Sequence, residues 1–481
     1  MQYRWTVLTV TTVGVLMSGI DSRILIVGLP TVAAALGADA EEAIWFTQSY
    51  VLASTIVLLL IGRLTDIVGR VKIYNIGFVI FTIGSALTSI SASPLQVIIF
   101  RSVQGLGSAF LFTNSVALIA DATSRKELGL SLGINQVAFR FGAMAGLTLS
   151  GAILSIIDWR ALFYINIPVG IFGTYWAHKR LKEIAQTEKG SHFDLVGFIL
   201  FTFSLLGLLL ALTFDAYGFT ELFTVIGLTL ASVVSFTVFI FYERRIRYPV
   251  LDFKLFKIKE FTGGCVAQLL NAVAWGGVML LLSLYLELVQ GYSALDAGIR
   301  LIPFEVAFLI FGPISGRYSD RIGQRPFVIS GLAVSSLSLF LLSTTGVNTP
   351  YSSLVVYMSI LGAGTGMFSS PNMSAVMGSV PARQRGVGSA IRALFFNIGS
   401  VISLNLAIII MAATVPYSLI SSIISSISAS LPTADRVLFA NALSQTYLWM
   451  GVVNTTALVP SLLWRKSSKI QETKQVGDFY E

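Results

Sequence analysis

Apolar residues along this chain follow neither the two-residue alternation of a half-buried strand nor the single stripe of an amphipathic helix. They run on for about twenty residues at a time and then break at short polar connections. Such runs lie near 6–29, 44–62, 73–92, 95–119, 131–156, 161–178, 194–214, 220–242, 261–286, 297–316, 326–345, 352–377, 387–413 and 444–464. About 20 apolar residues let a helix cross about 30 Å of hydrocarbon, and lipid admits only backbones that satisfy their own hydrogen bonds. The pattern therefore predicts fourteen membrane helices. The first run is too long for a signal peptide and holds Asp21 and Arg23.

Composition narrows the class. Hydrophobic residues are 55% of the 481 and charged residues only 12%, about half the charged share of a soluble domain. One cysteine, Cys265, rules out a disulfide framework, and two histidines cannot build a zinc cluster. The net charge of +8 forms no single patch, so it does not point to nucleic acid. Of 32 Lys and Arg, 25 fall in the N-terminus, the even-numbered connections and the tail. Only Arg160 and Arg436 fall in the odd-numbered ones, and five arginines lie within helices. By the positive-inside rule both termini face the cytoplasm, with attraction to anionic lipid a secondary effect.

The chain repeats itself. Gly62-Arg63-Leu64-Thr65-Asp66-Ile67-Val68-Gly69-Arg70 follows the second span, and Gly316-Arg317-Tyr318-Ser319-Asp320-Arg321-Ile322-Gly323-Gln324 follows the tenth. Gly105-Leu106-Gly107 in the fourth is echoed by Gly362-Ala363-Gly364 in the twelfth. Both echoes are offset by eight helices. Two pseudo-symmetric six-helix bundles with two extra helices between them account for the offset, as in secondary transporters whose site lies at the repeat interface. The expected division is 1–180, an insertion at 181–260 with basic linkers, and 261–481 with a cytoplasmic tail. An all-α integral membrane protein is the expected class.

These residues resemble a known family. The stretch from Gly62 to Arg70 is similar to the loop motif of the major facilitator superfamily, and Arg101 to Gly107 to its fourth-helix motif. Fourteen spans, Asp21-Ser22-Arg23-Ile24 running to Leu29-Pro30, and Trp159-Arg160 followed by Phe163, Asn166, Pro168 and Gly170 resemble the drug:proton antiporter branch. So do Glu243-Arg244-Arg245 with Pro249 and Leu255-Phe256, and Gln290-Gly291-Tyr292-Ser293 with Ala297-Gly298. The fifth-helix motif departs from that branch. Leu147 stands at the usual proline and Ser150 at a glycine, while Gly142, Gly146 and Gly151 remain to allow close packing.

Charges inside a span cost roughly 2.5–3.5 kcal/mol each on insertion scales and ask for a reason. At 1.5 Å per residue Asp21 lies roughly 22 Å up its helix and Arg101 roughly 9 Å below the outer end, similar depths. They form either a proton-coupling pair, as the resemblance implies, or a static ion pair between two helices. Arg140 and Glu305 lie at comparable depths in the fifth and tenth helices, which the family fold sets side by side. They are read as an inter-half pair that contacts substrate or locks one state, against separate cavity charges or a permanent ion pair. Asn114 and Asn271, with Gln48, Gln268, Asn372, Asn397 and Asn405, either line an aqueous cavity or bond neighbouring helices. Arg23, Glu287, Arg300 and Arg392 are expected to snorkel to the headgroups. Trp45, Trp275 and Tyr285 belong either to interfacial belts or to a stacking surface.

Asp66 and Asp320 are positioned to accept N–H bonds from a facing helix N-terminus, with Arg63 and Arg70 pairing with carboxylates; positive-inside decoration is the alternative. By resemblance, this latch of Gly62, Arg63, Asp66, Gly69, Arg70 and Asp320 stabilises the state closed to the cytoplasm. The long connection 414–443, with Ile423-Ile424-Ser425-Ser426-Ile427, is either a surface cap or a plain loop, and the His178–His192 linker a solvated strap.

No nucleotide-binding loop or metalloprotease helix occurs in the sequence. The expected function is a proton-coupled exporter of small organic amphiphiles or drugs, needing no cofactor beyond a proton gradient. A dedicated metabolite exporter or importer is the alternative, and a channel or enzyme a remote one. Expected partners are a small-molecule substrate, protons and membrane lipid, without nucleic acid, on a monomer in the plasma membrane. Five embedded arginines face fewer acids, which disfavours a dicationic substrate and leaves neutral, zwitterionic and anionic amphiphiles open.

Overall fold

The computed structural model describes residues 3–38, 40–124, 126–184, 194–217, 222–246, 249, 251, 253–292, 294–412, 415 and 433–462. The helices in chain order are α1 (Tyr3–Leu36), α2 (Ala40–Ile56), α3 (Leu58–Val68), α4 (Arg70–Ser89), α5 (Pro94–Ala122), α6 (Leu128–Ile156), α7 (Ala161–Tyr164) and α8 (Asn166–Arg180). Then come α9 (Leu195–Tyr217), α10 (Leu222–Glu243), α11 (Lys259–Trp275), α12 (Val278–Leu284), α13 (Ala294–Arg300) and α14 (Ile302–Ile322). The rest are α15 (Gln324–Leu342), α16 (Tyr351–Ser379), α17 (Arg385–Ala412), α18 (Thr433–Thr456) and α19 (Leu458–Leu462). A π-helical turn at Tyr285–Val289 extends α12, and no strand occurs among the described residues.

Local chemistry sets the boundaries. Ser93 caps α5, its Oγ accepting from Gln96 N–H at 3.4 Å. Gln96 reaches back to accept from Ala92 N–H at 2.8 Å, a reciprocal cap with Pro94 at the first helical position. The α3–α4 and α14–α15 corners turn at Gly69, with φ +111°, and Gly323, with φ +106°. That left-handed region disfavours any Cβ, which explains why both copies of the repeated motif keep this glycine.

Glycines also set the closest helix contacts. In each copy of the repeat one long helix threads between two others. A Cβ on Gly105 would meet the Tyr50 carbonyl of α2, and one on Gly107 the Phe81 amide of α4. The second copy repeats this, with Gly362 against the Phe304 carbonyl of α14 and Gly364 against the Ser335 amide of α15. Helix α1 lies along α6, where Gly142 and Gly146 abut the carbonyls of Leu16 and Ile20, and Gly19 abuts that of Phe139. Gly151 corrects the expected packing motif: nothing lies within 4 Å of its Cβ position, while Ser150 and Leu154 beside it still meet Gly28 of α1, so Gly151 sits on a face of α6 turned away from α1.

The early and late helices meet along α6 against α14 and α3 against α17. Helices α9 and α10 pack chiefly on each other, α9 also touching α2 and α17. Only 11% of the apolar window of α10 is buried within the protein, which leaves its Phe and Val side chains facing outward.

Among the described residues, eleven helices are long and apolar enough to cross a membrane, or twelve if Trp45–Ile56 and Leu58–Val68, bent by 44°, form one span. This is fewer than the fourteen expected, although every predicted segment holds helix. The shortfall has two sources. The sixth predicted segment is broken between α7 and α8, and α8 has only 15 residues and ends in His178-Lys179-Arg180. In the last, α18 starts at Thr433, earlier than expected, and carries Asp435, Asn441, Gln445 and Asn454. Both still pack inside the bundle, α8 on α4 and α18 on α15. The apolar 423–427 segment and most of the linker through His192 lie outside the described residues.

Gly146→Ala and Gly151→Ala should therefore have opposite consequences. Alanine favours a helix interior by about 0.5–1 kcal/mol over glycine, which is all that position 151 feels, so thermal stability there should hold or rise. At 146 the added methyl strikes the Ile20 carbonyl, and overpacking costs about 1–3 kcal/mol. The melting temperature in detergent should fall for Gly146→Ala only; equal values for the two would refute the close α1–α6 contact.

Candidate functional site

Asp21 is fully buried at the centre of a four-helix polar cluster. Its Oδ2 accepts from Arg101 at 2.7 Å, and its Oδ1 from Gln104 Nε2 at 2.8 Å and Asn166 Nδ2 at 3.1 Å. Arg101 also donates to Gln104 Oε1 at 2.7 Å and to the Phe46 carbonyl at 3.2 Å, and lies 4.4 Å from the Tyr50 ring centre. Asn166 passes the chain on to Ser85 at 3.1 Å. The spacing of Arg101 and Gln104, one turn apart on α5, lets both reach the same carboxylate. A carboxylate satisfied on both oxygens is how a buried charge becomes tolerable. Gln104 and Asn166 were not singled out from sequence as ligands of Asp21; the one-turn spacing from Arg101 was the available signal for the first, and none existed for the second.

A cavity of about 300 Å³ opens beside this cluster, lined from α1, α2, α5 and α6 on one side and from α11, α14, α16 and α17 on the other. Arg140 and Glu305 face each other across it, with the Arg140 nitrogen 3.5 and 3.4 Å from the two carboxylate oxygens. The guanidinium also sits 4.0 Å from the Phe308 ring centre, 4.7 Å from Trp275 and 5.2 Å from Phe304. A cation seated among π faces and a long ion pair is held without being locked.

Several expectations change here. Arg23 and Arg392 do not reach for headgroups; both line the cavity, because their helices turn those positions inward. Asn271 lines it and donates to Asn454 Oδ1 at 2.8 Å. Asn114 does not belong with the cavity residues. Its Oδ1 accepts from Thr65 at 2.8 Å and its amide donates to the Phe110 carbonyl at 2.8 Å, so it ties α3 to α5. Gln268 and Asn397 line the cavity, and Asn397 also donates to Thr55 at 3.0 Å. Asn372 instead donates to the Gly264 carbonyl at 3.1 Å. Trp275 forms part of the cavity wall, Tyr285 donates to the Gly346 carbonyl at 2.7 Å, and Trp45 meets Phe214 edge-on. Arg300 lies against the Tyr292 and Tyr351 rings, and Glu287 accepts from Ser283 at 2.8 Å.

At one end of the molecule two carboxylates clasp two helix N-termini. Asp66 accepts from the backbone N–H of Gly386 at 2.9 Å and of Val387 at 3.0 Å, at the start of α17. Asp320 accepts from Gly129 at 2.9 Å and Leu130 at 3.1 Å, at the start of α6. Each uses donors that the first turn leaves unpaired and the positive end of the helix dipole. Gly62 and Gly316 allow the approach, abutting the carbonyls of Gly386 and Gly129. The two corners differ in charge. Arg70 pairs with Asp121 and with Asp66 and donates to the Ala382 carbonyl at 2.7 Å. Arg385 joins the network, 2.9 Å from Asp121. The repeat places Gln324 where the first copy has Arg70. Asp121 and Arg385 escaped notice because charge at a helix end reads as topology. Arg63 is buried on α3, and Gly69 packs against Glu183, whose carboxylate accepts from Val71 N–H at 2.9 Å.

Comparison with known proteins gives a consistent result. A family model described as Major Facilitator Superfamily matches residues 11–404. The riboflavin transporter RibZ of Clostridioides difficile (strain 630) is 31% identical over 404 residues, 83% of this chain and 87% of that protein. The multidrug transporter protein MdtP of Bacillus subtilis (strain 168) is 26% identical over 395 residues, 82% and 73% of the two chains. Among solved structures, the proton:xylose symporter XylE bound to 6-bromo-6-deoxy-D-glucose superposes with a TM-score of 0.67 at 16% identity, covering 95% of this chain and 94% of that one.

The clasps yield a direct test by hydrogen–deuterium exchange. A hydrogen bond to a charged group is worth about 1.5–3 kcal/mol, so Asp66→Ala should speed exchange of the Gly386 and Val387 amides by roughly tenfold or more. Asp320→Ala should do the same for Gly129 and Leu130, leaving the other corner protected. Unchanged exchange in both variants would refute the clasps. For the cavity pair, exchanging the charges as Arg140→Glu with Glu305→Arg should recover part of the transport lost in either single variant. A double variant no better than the singles would end the pairing.

Proposed function

The chain belongs to the Major Facilitator Superfamily, a family of multi-pass membrane transporters and not of enzymes, and on that premise we propose that it is a proton-coupled exporter of small organic amphiphiles or drugs working by alternating access. The observation that carries the reading is the buried Asp21–Arg101–Gln104–Asn166 cluster beside a cavity lined by both halves of the chain. In this reading 1–180 and 261–481 are six-helix halves and 181–260 contributes two extra helices. All fourteen segments cross the membrane, α7–α8 and α18–α19 included. The protein is a plasma-membrane monomer with both termini cytoplasmic, and the Asp66/Asp320 end is its closed cytoplasmic gate.

Asp21 is the coupling acid. Binding a proton there neutralises the carboxylate and weakens its hold on Arg101, so the carrier switches between two hydrogen-bonding arrangements that the alternating states stabilise differently. Arg140 and Glu305, on the α6 and α14 helices that meet across the halves, sense substrate or lock one state. Releasing the Asp66 and Asp320 clasps frees the N-termini of α17 and α6 and opens the cytoplasmic side.

A second reading has its own support. The relative at 31% identity is named as a riboflavin transporter, and Leu147 replaces the proline usual in the antiporter branch; both favour one dedicated metabolite over a broad drug range.

The test uses purified protein in vesicles containing a pH dye, challenged with riboflavin and with panels of neutral, anionic and cationic amphiphiles. Substrate-driven proton movement, reduced about a hundredfold or more in Asp21→Asn, is the expected result. Substrate flux without proton movement, unchanged in the variant, would make Asp21 a structural ion-pair partner and remove proton coupling. Flux of riboflavin alone would select the second reading.

A further inference from the structure

Four ionisable side chains other than tyrosine line the central cavity: Arg23, Arg140, Arg392 and Glu305. Three guanidinium groups against one carboxylate leave a formal excess of two positive charges. Glu305 is engaged with Arg140. Arg392 is 3% exposed, and its Nε and one terminal nitrogen have no hydrogen-bond partner. Trp275 Nε1, on another wall of the same cavity, is also buried without an acceptor.

Buried N–H donors are ordinarily satisfied, and those that are not ask for an explanation. An uncompensated guanidinium is the most expensive case, because burial removes its hydration and supplies nothing in return. Arginine cannot lose its proton to escape that cost. Its planar fork of donors instead matches a carboxylate or similar oxyanion. Gln268 Oε1, on the same helix as Trp275, is also buried without a partner, and rotating its amide would present the NH2 group instead.

The rest of the lining says what the anion is attached to. Phe112 lies 5.9 Å from Arg392 and meets Phe139 edge-on at 5.6 Å. Phe396, one turn beyond Arg392 on α17, lies 6.3 Å from Trp275, whose ring is in turn beside Arg140. Aromatic faces therefore run from Arg392 to the Arg140–Glu305 pair. We infer that the cavity selects aromatic organic anions, with Arg392 binding the oxyanion and the Phe112, Phe139, Trp275 and Phe396 rings holding the planar body. This inference rests on the transport reading for its claim that the bound molecule is the cargo.

The test uses full-length protein in phosphatidylcholine nanodiscs and equilibrium dialysis with three matched probes: naphthoxyacetate, naphthoxyethanol and naphthoxyethyl-trimethylammonium. The wild type should bind the carboxylate about tenfold or more tighter than the alcohol, and the ammonium probe weakest. Arg392→Gln should abolish the preference for carboxylate over alcohol, with unchanged helical circular dichroism showing that the variant is folded. Arg392→Lys should retain part of the preference. Equal binding of the three probes by the wild type, or tighter binding of the ammonium probe, would overturn the inference whatever the variants do. A carboxylate preference that persists in Arg392→Gln would overturn the role of Arg392. Parallel flux assays in vesicles separate the two claims. Anion binding without flux of any probe defeats the transport reading alone, and flux of the alcohol or ammonium probe without anion preference defeats the anion site alone.

Discussion

The interior of this protein cannot solvate a charge, and the arrangement of its helices follows from how each buried charge is answered. Asp21 is the clearest case. Four helices contribute to its surroundings, α1 with the carboxylate, α5 with Arg101 and Gln104, α8 with Asn166 and α2 with the Phe46 carbonyl behind Arg101. Removing Arg101 would leave a buried carboxylate unpaired, a loss of about 3–5 kcal/mol for a broken buried ion pair. The same network ties the first helices to one another through a single buried carboxylate.

Close approach of helices is the second requirement, and glycine meets it. Without a hydrophobic driving force between helices in lipid, contact area and short interhelical distances carry the association. Gly105 and Gly107, and again Gly362 and Gly364, bring one helix against the backbones of its two neighbours. Gly142, Gly146 and Gly19 do so between α1 and α6. The repeated motif and the repeated packing are one fact seen at two levels.

The pseudo-symmetry breaks where charge enters. Both corners share an aspartate on a helix N-terminus, but only the first adds Arg70, Asp121 and Arg385. The Asp66 corner therefore combines directional backbone bonds with a buried ion network, while the Asp320 corner relies on the backbone bonds.

Composition and run length by themselves determined that the chain is helical and lies in a membrane, because no other structure satisfies a backbone through such apolar stretches. The repeat was legible for a similar reason: it depends only on spacing along the chain. Azimuth was not legible. Each residue advances a helix by about 100°, and which way that face points depends on how the helix crosses its neighbours. Arg23 and Arg392 look like headgroup-seeking charges in one dimension and line the cavity in three, whereas Asn114 looks like a cavity residue and is consumed by Thr65. The segments 161–178 and 444–464 read as apolar runs, yet α8 and α18 fall short of the apolar length that marks the others while packing on α4 and α15. Pairings across hundreds of residues, such as Asp66 with the start of α17, are decided only when the helices are packed, since one-dimensional spacing carries no information about which N-terminus a carboxylate will meet.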